Sequence, residues 1–333
     1  MAENKTQKHP ISPDRQPDEM RDAFGKTLVD LGREFPSIVV LDADLNTSSK
    51  IVYFKKAFPD RFFQIGIAEQ NLFGMAAGLA LTGYIPFPST FAAFVARRAA
   101  DQIAISIAYP NLNVKIPGSY VGLPTSRAGA SHNAIEDIAV MRALPNMKVA
   151  DPGDNRDLAA IMRTAVNTPG PVYFRITRIT LPDMFEAGHQ FEWGKGVIVR
   201  SGSDVTLFGT GMMTSLCLRA ADLLAQESIS AEVVHLASIK PIDGDLITDS
   251  ISRTGCGVTA ENASVIGGFG DAVSQVVCST FPAPLKRIGV QDKWVNSGGI
   301  DDLFTQHHMQ PADIAEAAKN VIRQRKPFQI VAP

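Results

Sequence analysis

Apolar and polar positions change their spacing repeatedly along the chain. Short apolar runs such as SIVVLDAD (37–44) and PVYFRI (171–176) indicate buried strands. Between such runs, apolar residues recur every three to four positions, as in 20–34 and 156–167, which is typical of amphipathic helices. Because parallel strands need helical crossovers, this alternation predicts an α/β protein whose sheets are mainly parallel.

The alternation forms two series separated by polar, proline-bearing sequence. We therefore predict a flexible N-terminal tail over 1–19, a first domain over 20–182, a linker over 183–194 and a second domain over 195–333. The remaining predicted strands are 61–67, 111–116, 147–150, 196–200, 204–211, 231–236, 257–262 and 285–290. The remaining predicted helices are 69–82, 97–108, 133–144, 213–226, 243–253, 268–280 and 311–324.

Composition narrows the class of protein. The 333 residues are 45% hydrophobic and 20% charged, as in soluble globular proteins. The net charge is −2 without any block of like charges, so neither nucleic acid nor an anionic membrane is an expected partner. Three cysteines have neither disulfide nor zinc spacing. With no apolar signal core at the N-terminus, we expect cytoplasmic localisation.

The segment GIAEQNLFGMAAGLALTGYIPFPSTFAAF (66–94) contains a single charged residue, Glu69. Burying a carboxylate without a partner costs several kcal/mol, so an acid in this apolar setting calls for a reason. One reason is a position in the first turn of a helix, where the helix dipole favours negative charge. In the helix that follows, Gly74, Ala77, Gly78 and Leu81 occur at helical spacing, which predicts a close helix–helix contact in a dimer.

Several longer motifs resemble those of a known family. GIAEQN, GLALTGYIPF and STFAAF resemble the pyrimidine-binding domain of transketolases and of deoxyxylulose-phosphate synthase. SIAYPNLNVKI, IEDIAVMRALPNMKV and PVYFRITR continue the resemblance, and SIKPID and SVIGGFGDAV resemble the transketolase C-terminal domain. The similarity extends from about Met20 over essentially the whole chain. It implies a pyrimidine-binding fold for thiamine diphosphate followed by a transketolase C-terminal domain.

The resemblance also implies a cofactor and the residues that contact it. Glu69 matches the catalytic glutamate that hydrogen-bonds N1′ of the aminopyrimidine of thiamine diphosphate and promotes loss of the thiazolium C2 proton. Phe91 and Phe94 match aromatic positions that flank the pyrimidine ring, although plain core packing explains both equally well. Asp44 matches an aspartate near the cofactor, just past the end of a strand.

A motif that the family uses is missing. Transketolases hold the diphosphate through a divalent cation bound by GDG and a later asparagine, and this sequence has no GDG. The resemblance therefore implies an N-terminal transketolase subunit that supplies the GDG and binds Mg²⁺ or Ca²⁺, while this chain contributes no metal ligand. Because such cofactors lie between domains of different chains, we expect self-association within a heterotetramer.

Residues that match the family's substrate site are also present. Arg21, Ser48 and Arg178 match positions that bind the sugar phosphate, and arginine suits phosphate because its planar fork gives two charge-assisted hydrogen bonds. His132, in GASHNAIED, matches the histidine of the family's THQ motif. That histidine approaches the first hydroxyl of the donor and the aminopyrimidine, so the resemblance assigns His132 to catalysis and to substrate binding.

Three positions depart from the family pattern. Tyr120 stands where a phosphate-contacting histidine is expected, and Ala128 stands where an aspartate normally contacts a substrate hydroxyl. Arg97 replaces a tyrosine near the pyrimidine ring. These departures weaken an assignment to the ordinary reaction of xylulose 5-phosphate with ribose 5-phosphate.

The sequence favours the catalytic half of a two-subunit transketolase that moves a two-carbon ketol unit from a ketose phosphate to an aldose phosphate. The loss of the aspartate at Ala128 suggests a specialised donor, such as apulose 4-phosphate or a sulfonated ketose. Two alternatives stay open. One is the beta subunit of a 2-oxo acid dehydrogenase decarboxylase, and the other is a non-catalytic regulatory paralogue.

Overall fold

The computed structural model describes residues 18–325, so most of the predicted tail lies outside the described residues. The first half of the chain alternates strands with helices. Its strands are β1 Ile38–Asp42, β2 Phe62–Gln64, β3 Ile85–Phe91, β4 Lys115–Ser119, β5 Lys148–Ala150 and β6 Val172–Ile176. Its helices are α1 Met20–Glu34, α2 Val52–Ala57, α3 Glu69–Leu81, α4 Ala92–Arg98, α5 Ala100–Gln102, α6 Asp137–Ala143 and α7 Asn155–Val166.

The second half repeats this alternation. Its strands are β7 Val197–Arg200, β8 Val205–Gly209, β9 Ala231–His235, β10 Ser238–Lys240, β11 Gly257–Ser264 and β12 Leu285–Val290. Its helices are α8 Met213–Gln226, α9 Gly244–Thr254, α10 Phe269–Thr280, α11 Ile300–Gln306 and α12 Pro311–Gln324. Across residues 18–325, no helix has both the length and the hydropathy needed to cross a bilayer.

The strands form two sheets. The first has the order β10-β5-β6-β4-β3-β1-β2 and is parallel except for β10. The second has the order β12-β11-β8-β9-β7 and is parallel except for β7. The predicted α/β class with mainly parallel sheets is confirmed. Strand β10 comes from the second half of the chain but extends the first sheet, so the two halves share a ladder of hydrogen bonds.

Local sequence explains where several helices begin and end. The Asp154 side chain accepts hydrogen bonds from the backbone amides of Arg156 and Asp157, and it thereby caps the start of α7. Asp243 caps α9 in the same way, and Gly255 ends that helix in the left-handed conformation that glycine adopts without a steric penalty. These signals lie in the sequence itself, which is why the predicted and observed limits of both helices nearly coincide.

Three predicted elements near the site are displaced. The predicted helix 97–108 begins earlier as α4 and continues through α5 into a π-helical segment, Ile103–Ala108. The predicted strand 111–116 forms only from Lys115, because Asn111 adopts a positive φ of 56° in a turn. The predicted helix 133–144 begins only at Asp137, which leaves the residues before it in a turn.

A buried ionic network joins the two halves beneath the strand ends. Arg175 on β6 pairs with Asp137 at 2.8 Å and with Asp151 at 2.8 Å, and all three side chains are almost fully buried. Nη2 of Arg175 also donates to the carbonyl of Asn262 on β11 at 2.9 Å. Burial raises the pKa of Asp151, while Arg175 opposes that rise. Because each charge has a partner, the network fixes β11 against β6.

Candidate active site

The carboxyl ends of neighbouring parallel strands meet at one edge of the first sheet. The segments that leave β1, β3, β4 and β6 at this edge carry Asp44, Phe91, Tyr120 and Arg178, respectively. Ligands of open α/β sheets bind at such an edge, because the loops there converge while the strands hold them rigidly. The sheet order therefore brings together residues that are far apart in the sequence.

Glu69 is the first residue of α3, and it is 5% exposed. Ala68 occupies the N-cap position and offers no side-chain cap, so the carboxylate of Glu69 lies where the helix dipole favours negative charge. Nη1 of Arg98 donates to Oε1 of Glu69 at 3.0 Å. The apolar sequence around Glu69 offers no partner for this acid, and the partner comes instead from α4, where Arg98 forms an ion pair with it.

The rings of Phe94, Phe91 and His132 pack against one another and form a surface that we call the aromatic wall. The guanidinium of Arg98 lies 4.2 Å from the centre of the Phe94 ring, and Phe94 lies 5.7 Å from Phe91. The imidazole of His132 meets both phenylalanines edge-on, with centroid distances of 5.3 Å to Phe94 and 5.9 Å to Phe91. Arg98 thus links Glu69 to a cluster of two phenylalanines and a histidine.

Tyr120 extends this wall on the far side of Phe91. Its ring stacks on Phe91 with a centroid distance of 4.2 Å and an interplanar angle of 27°. Its backbone has φ of 62°, an uncommon conformation for a tyrosine, and such conformations cluster at functional sites. The guanidinium carbon of Arg178 lies 5.1 Å from the Tyr120 ring, and that of Arg21 lies 5.8 Å from it.

Arg21, at the start of α1, is held by contacts on several sides. Its Nη1 donates to the Tyr120 hydroxyl at 2.7 Å and to the Ser48 carbonyl at 3.3 Å, and its Nε pairs with Glu19 at 2.5 Å. Burial alone would lower the pKa of Arg21, but the contacts with Glu19 and Tyr120 outweigh burial and raise it. The cation therefore stays charged next to Arg178, where two positive side chains suit an anionic substrate group.

Asp44 lies at the same edge but in a different setting. It is exposed, its φ is 64°, and its backbone amide donates to Oε1 of Gln64 at 3.2 Å. The same oxygen accepts from the amide of Gly66 at 3.0 Å, three positions before Glu69. Gln64 therefore ties the loop after β1 to the segment that leads into α3.

The three departures from the family pattern occupy different places. Tyr120 lies at the end of the aromatic wall, beyond Phe91. Ala128 is exposed at the end of a 3₁₀ helix, Leu123–Ala128, in the segment that precedes His132. Arg97 does not extend towards Glu69; its guanidinium donates to the carbonyls of Ala130 and Asn133 and pairs with Glu136.

His132 belongs to a turn, so the expectation that it begins a helix is wrong. Its Nδ1 shares a hydrogen bond with the hydroxyl of Ser131 at 2.8 Å, and its ring is partly exposed beside Phe94. Helix α6 starts five residues later at Asp137. The turn holds the imidazole against Phe91 and Phe94 while part of the ring stays exposed to solvent.

One face of α3 is exposed and carries small side chains. A Cβ atom added at Gly74 or at Gly78 would meet no atom within 4 Å, and Leu81 on the same face is 73% exposed. Ala77 does not belong to this face, because it is 6% exposed and packs in the core. The prediction that these residues share one exposed helix face is therefore correct for Gly74, Gly78 and Leu81 but wrong for Ala77.

Sequence reasoning missed the role of Arg98 and treated Tyr120 only as a departure. Arg98 follows Phe94 by four residues on one helix, a spacing that brings two side chains onto the same face, so its stacking was accessible from the sequence. Nothing in the spacing of Tyr120 indicates contact with Arg21, because the two residues are brought together only by the order of the strands.

Comparison with known proteins shows the family of this chain. The model of the transketolase pyrimidine-binding domain matches residues 17–184, and that of the transketolase C-terminal domain matches residues 194–314. The chain belongs to the transketolase family. Membership of this family implies dependence on thiamine diphosphate.

Transketolase relatives of similar length come from several organisms. A protein of Methanocaldococcus jannaschii, named as a transketolase C-terminal section, is 43% identical over 89% of this chain and 94% of its own length. The 6-deoxy-6-sulfo-D-fructose transketolase subunit SqwH of a Clostridium species is 39% identical over 93% of this chain and 96% of its own length. One of the subunits of the apulose-4-phosphate transketolase of Phocaeicola vulgatus is 32% identical over 91% and 97%, respectively.

A solved transketolase structure has the same fold. It is described as a split gene transketolase, inactive beta4 tetramer, and is 46% identical to this chain. It superimposes with a TM-score of 0.86 over 93% of this chain and 100% of its own. The two transketolase domains with mainly parallel sheets are thus the architecture of this chain.

The residues at the strand ends fit the aminopyrimidine half of thiamine diphosphate. Glu69 is a buried carboxylate that can hydrogen-bond a ring nitrogen, and the Phe91 and Phe94 rings are flat apolar surfaces for a heteroaromatic ring. No group of three or more His, Cys, Asp or Glu residues within 18–325 is arranged to hold a metal ion. The described part of the chain thus presents a buried acid and two flat apolar rings that suit a pyrimidine ring.

Proposed function

We propose that this chain is the pyrimidine-domain subunit of a two-chain transketolase. It transfers a two-carbon ketol unit from a ketose phosphate to an aldose phosphate. The observation that carries the proposal is the cluster of Phe91, Phe94 and His132, which Arg98 links to the buried Glu69 and Tyr120 links to a pair of arginines. A buried acid, aromatic walls and an anion-binding end are the parts that this reaction needs from the protein.

In this proposal, thiamine diphosphate supplies the electron sink for cleaving a carbon–carbon bond next to a ketone. Glu69 holds N1′ of the aminopyrimidine and shares a proton with it, and its burial keeps water from competing. Phe91 and Phe94 fix the plane of the ring. Asp44 borders the cofactor at the end of β1, where its backbone is tied through Gln64 to the segment before Glu69.

His132 and the arginines act on the sugar. The His132 imidazole borders the aromatic wall, where it hydrogen-bonds the first hydroxyl of the donor and moves a proton there. Arg21 and Arg178 bind the phosphate of the sugar, and the loop that contains Ser48 accepts a hydrogen bond from Arg21.

A partner chain supplies the other half of the site. The sequence has no GDG motif, and relatives are named as a transketolase section or as subunits. We propose that Mg²⁺ or Ca²⁺ and the diphosphate are bound by an N-terminal transketolase subunit. The exposed face of α3, with Gly74 and Gly78, serves self-association between two copies of this chain in a heterotetramer, because it permits close backbone approach.

The donor is proposed to be specialised. Tyr120 and Ala128 replace a histidine and an aspartate of the family pattern, and two relatives act, by their names, on 6-deoxy-6-sulfo-D-fructose and on apulose 4-phosphate. A donor with altered substitution at C3, such as apulose 4-phosphate, does not need the missing aspartate. A sulfonated ketose is the other candidate, since its anionic end differs from a phosphate.

The alternatives are weaker. The named relatives are transketolase sections and subunits, which argues against a 2-oxo acid dehydrogenase component. A non-catalytic paralogue has no need for a buried acid and a partly exposed histidine beside one aromatic wall. We place this cytoplasmic activity in carbohydrate metabolism, among the reactions of pentose phosphates.

Mixing experiments test the proposal. The purified chain with thiamine diphosphate and Mg²⁺ should show no transfer between sugar phosphates, and adding the GDG-bearing subunit should produce transfer that saturates with equal amounts of the two chains. Fast transfer by the isolated chain contradicts the two-chain proposal. A complex that forms but transfers no ketol unit from any phosphorylated or sulfonated ketose contradicts the proposed reaction.

A further inference from the structure

The turn that carries His132 is held together from within. The carbonyl of Gly129 accepts hydrogen bonds from the amides of His132 and Asn133, both at 3.0 Å. Gly129 has φ of 70°, a conformation that glycine adopts at no steric cost. These bonds close the turn, but they do not by themselves fix how the turn lies against Phe94.

Arg97 ties this turn to α4 from outside. Its Nη1 donates to the carbonyl of Ala130 at 2.7 Å, and its Nη2 donates to the carbonyl of Asn133 at 3.1 Å. These carbonyls lie on either side of His132 in the sequence. The same guanidinium pairs with Glu136, with Nη2 3.0 Å from Oε2, so all three nitrogens of its planar fork make hydrogen bonds.

The C-terminal half of the chain covers this arrangement. The Trp294 ring lies 5.4 Å from the guanidinium carbon of Arg97, although the tryptophan is 67% exposed. The hydroxyl of Ser297 donates to the carbonyl of Arg127 at 2.6 Å, and the amide of Ser264 donates to the carbonyl of Ile135 at 2.7 Å. A pocket of about 400 Å³ lies between Arg97 and the segment that contains Trp294.

We propose that Arg97 is a positioning residue, which holds the His132 turn against Phe94 and is itself held by Trp294 from the C-terminal half. The inference rests on the proposed function, because it assigns Arg97 an effect on a residue that acts on the sugar. It also gives the C-terminal half a role in the site, since Trp294, Ser297 and Ser264 all contact the segments around the turn. A lysine cannot reproduce these contacts, because it lacks the planar fork.

The first test compares variants in the complex reconstituted with the GDG-bearing subunit. Arg97→Ala should lower kcat about 10- to 100-fold while KM for the donor changes less than about threefold, because a displaced catalytic group costs rate more than binding. Arg97→Lys should recover little of the loss. Trp294→Ala removes a mostly exposed side chain and should fold normally, with a loss of kcat of about two- to fivefold.

A double variant separates positioning from general damage. If Arg97 acts through His132, Arg97→Ala should change kcat less than about twofold in the His132→Ala background, since coupled residues are not additive. Losses that multiply in the double variant contradict the inference. Equal losses from Arg97→Ala and from Arg163→Ala, which removes an exposed ion pair with Glu34, also contradict it.

Hydrogen exchange of the unassembled chain gives a readout that needs no activity. The amides of His132 and Asn133 should exchange at least about tenfold faster in Arg97→Ala and in Trp294→Ala, with amides of α12 unchanged. Unchanged exchange in both variants overturns the inference. If the wild-type complex proves inactive, the proposed function fails, whereas this exchange result still decides whether Arg97 holds the turn.

Discussion

The Nη1 atom of Arg21 donates a hydrogen bond to the hydroxyl of Tyr120 at 2.7 Å, although the two residues are 99 positions apart. Tyr120 also stacks on Phe91, so a single side chain connects the aromatic wall with the cationic end of the site. The family pattern has a histidine at this position, which would contact the phosphate directly. Here the tyrosine orients an arginine instead.

Tyr120→Phe should weaken donor binding while leaving the fold intact. The phenylalanine keeps the stack on Phe91 but frees Arg21, and a hydrogen bond to a charged group contributes about 1.5–3 kcal/mol. We expect KM for the phosphorylated donor to rise about 10-fold or more, with a small change in kcat. Tyr53→Phe is the matched control, because Tyr53 donates to Asp22 on the same helix outside the site. Equal KM values for the two variants would contradict the proposal that Tyr120 orients Arg21 for donor binding.

Ala128→Asp should shift substrate preference towards ordinary ketose phosphates. A regained hydrogen bond to a sugar hydroxyl contributes about 0.5–1.5 kcal/mol, so kcat/KM for xylulose 5-phosphate should rise roughly 2- to 10-fold relative to a branched or sulfonated ketose. Ala128 is exposed, so the fold should tolerate the change. If wild type already prefers xylulose 5-phosphate and the variant does not improve it, the specialised-donor proposal should be dropped.

Gly78→Leu should disrupt self-association without unfolding the chain. A Cβ atom at Gly78 meets no atom within 4 Å in the unassembled chain, but a leucine there would hold apart two copies that meet along α3. Sedimentation should show smaller assemblies for Gly78→Leu and for Gly74→Leu. Gly244→Leu, at the start of α9, serves as the control, since an added Cβ there meets only ordinary contacts. Assemblies of unchanged size would exclude α3 from the interface.

Asp157 should make the stability of the chain depend on acidic pH. Burial alone raises the pKa of Asp157, but hydrogen bonds from His189 and His235 outweigh it and lower the pKa to about 2. A depressed folded-state pKa contributes stability above about pH 4, which is lost as pH falls towards 2. Asp157→Asn should therefore lower the free energy of unfolding by roughly 2 kcal/mol at pH 7.

Urea unfolding at several pH values checks this prediction. The difference between wild type and Asp157→Asn should shrink as the pH falls below 4. Asp222→Asn, which removes an exposed ion pair with Arg200, is the control and should change stability by less than about 1 kcal/mol. A difference that stays constant below pH 4 would contradict the role assigned to Asp157.

Much of the fold could be predicted from the sequence, because strands and helices with clean periodicity also carry local stop signals. Strand β3, near the site, was not predicted as a strand at all. Pro86 and Pro88 lack amide donors and so argue against a central strand. In the structure, the backbone amide of Ile85 donates to the carbonyl of Ser37, just before β1. Because successive backbone nitrogens point to opposite sides of a strand, the nitrogens of both prolines point towards β4. The pairing between β3 and β4 begins only at Thr90, so the sheet needs no amide donor from either proline.

The candidate site could be predicted in part. The motif around Glu69 indicated a buried acid at the start of a helix, and this position is where the structure has it. Contacts that depend on strand order could not be predicted, because the sequence does not show which loops meet. Three contacts are of this kind: the ion pair of Arg98 with Glu69, the stacking of Tyr120 on Phe91, and the hydrogen bonds from Arg97 to the His132 turn.

The central claim is that Glu69 of this chain activates a cofactor that a second chain anchors. Its most direct test is the rate of hydrogen–deuterium exchange at C2 of thiamine diphosphate, measured with the isolated chain, with the complex and with the complex that contains Glu69→Gln. We expect fast exchange only in the wild-type complex, and a loss of about 10²- to 10⁴-fold in Glu69→Gln, whose amide cannot share the N1′ proton. Exchange that is equally fast in Glu69→Gln, with the cofactor still bound, would contradict it.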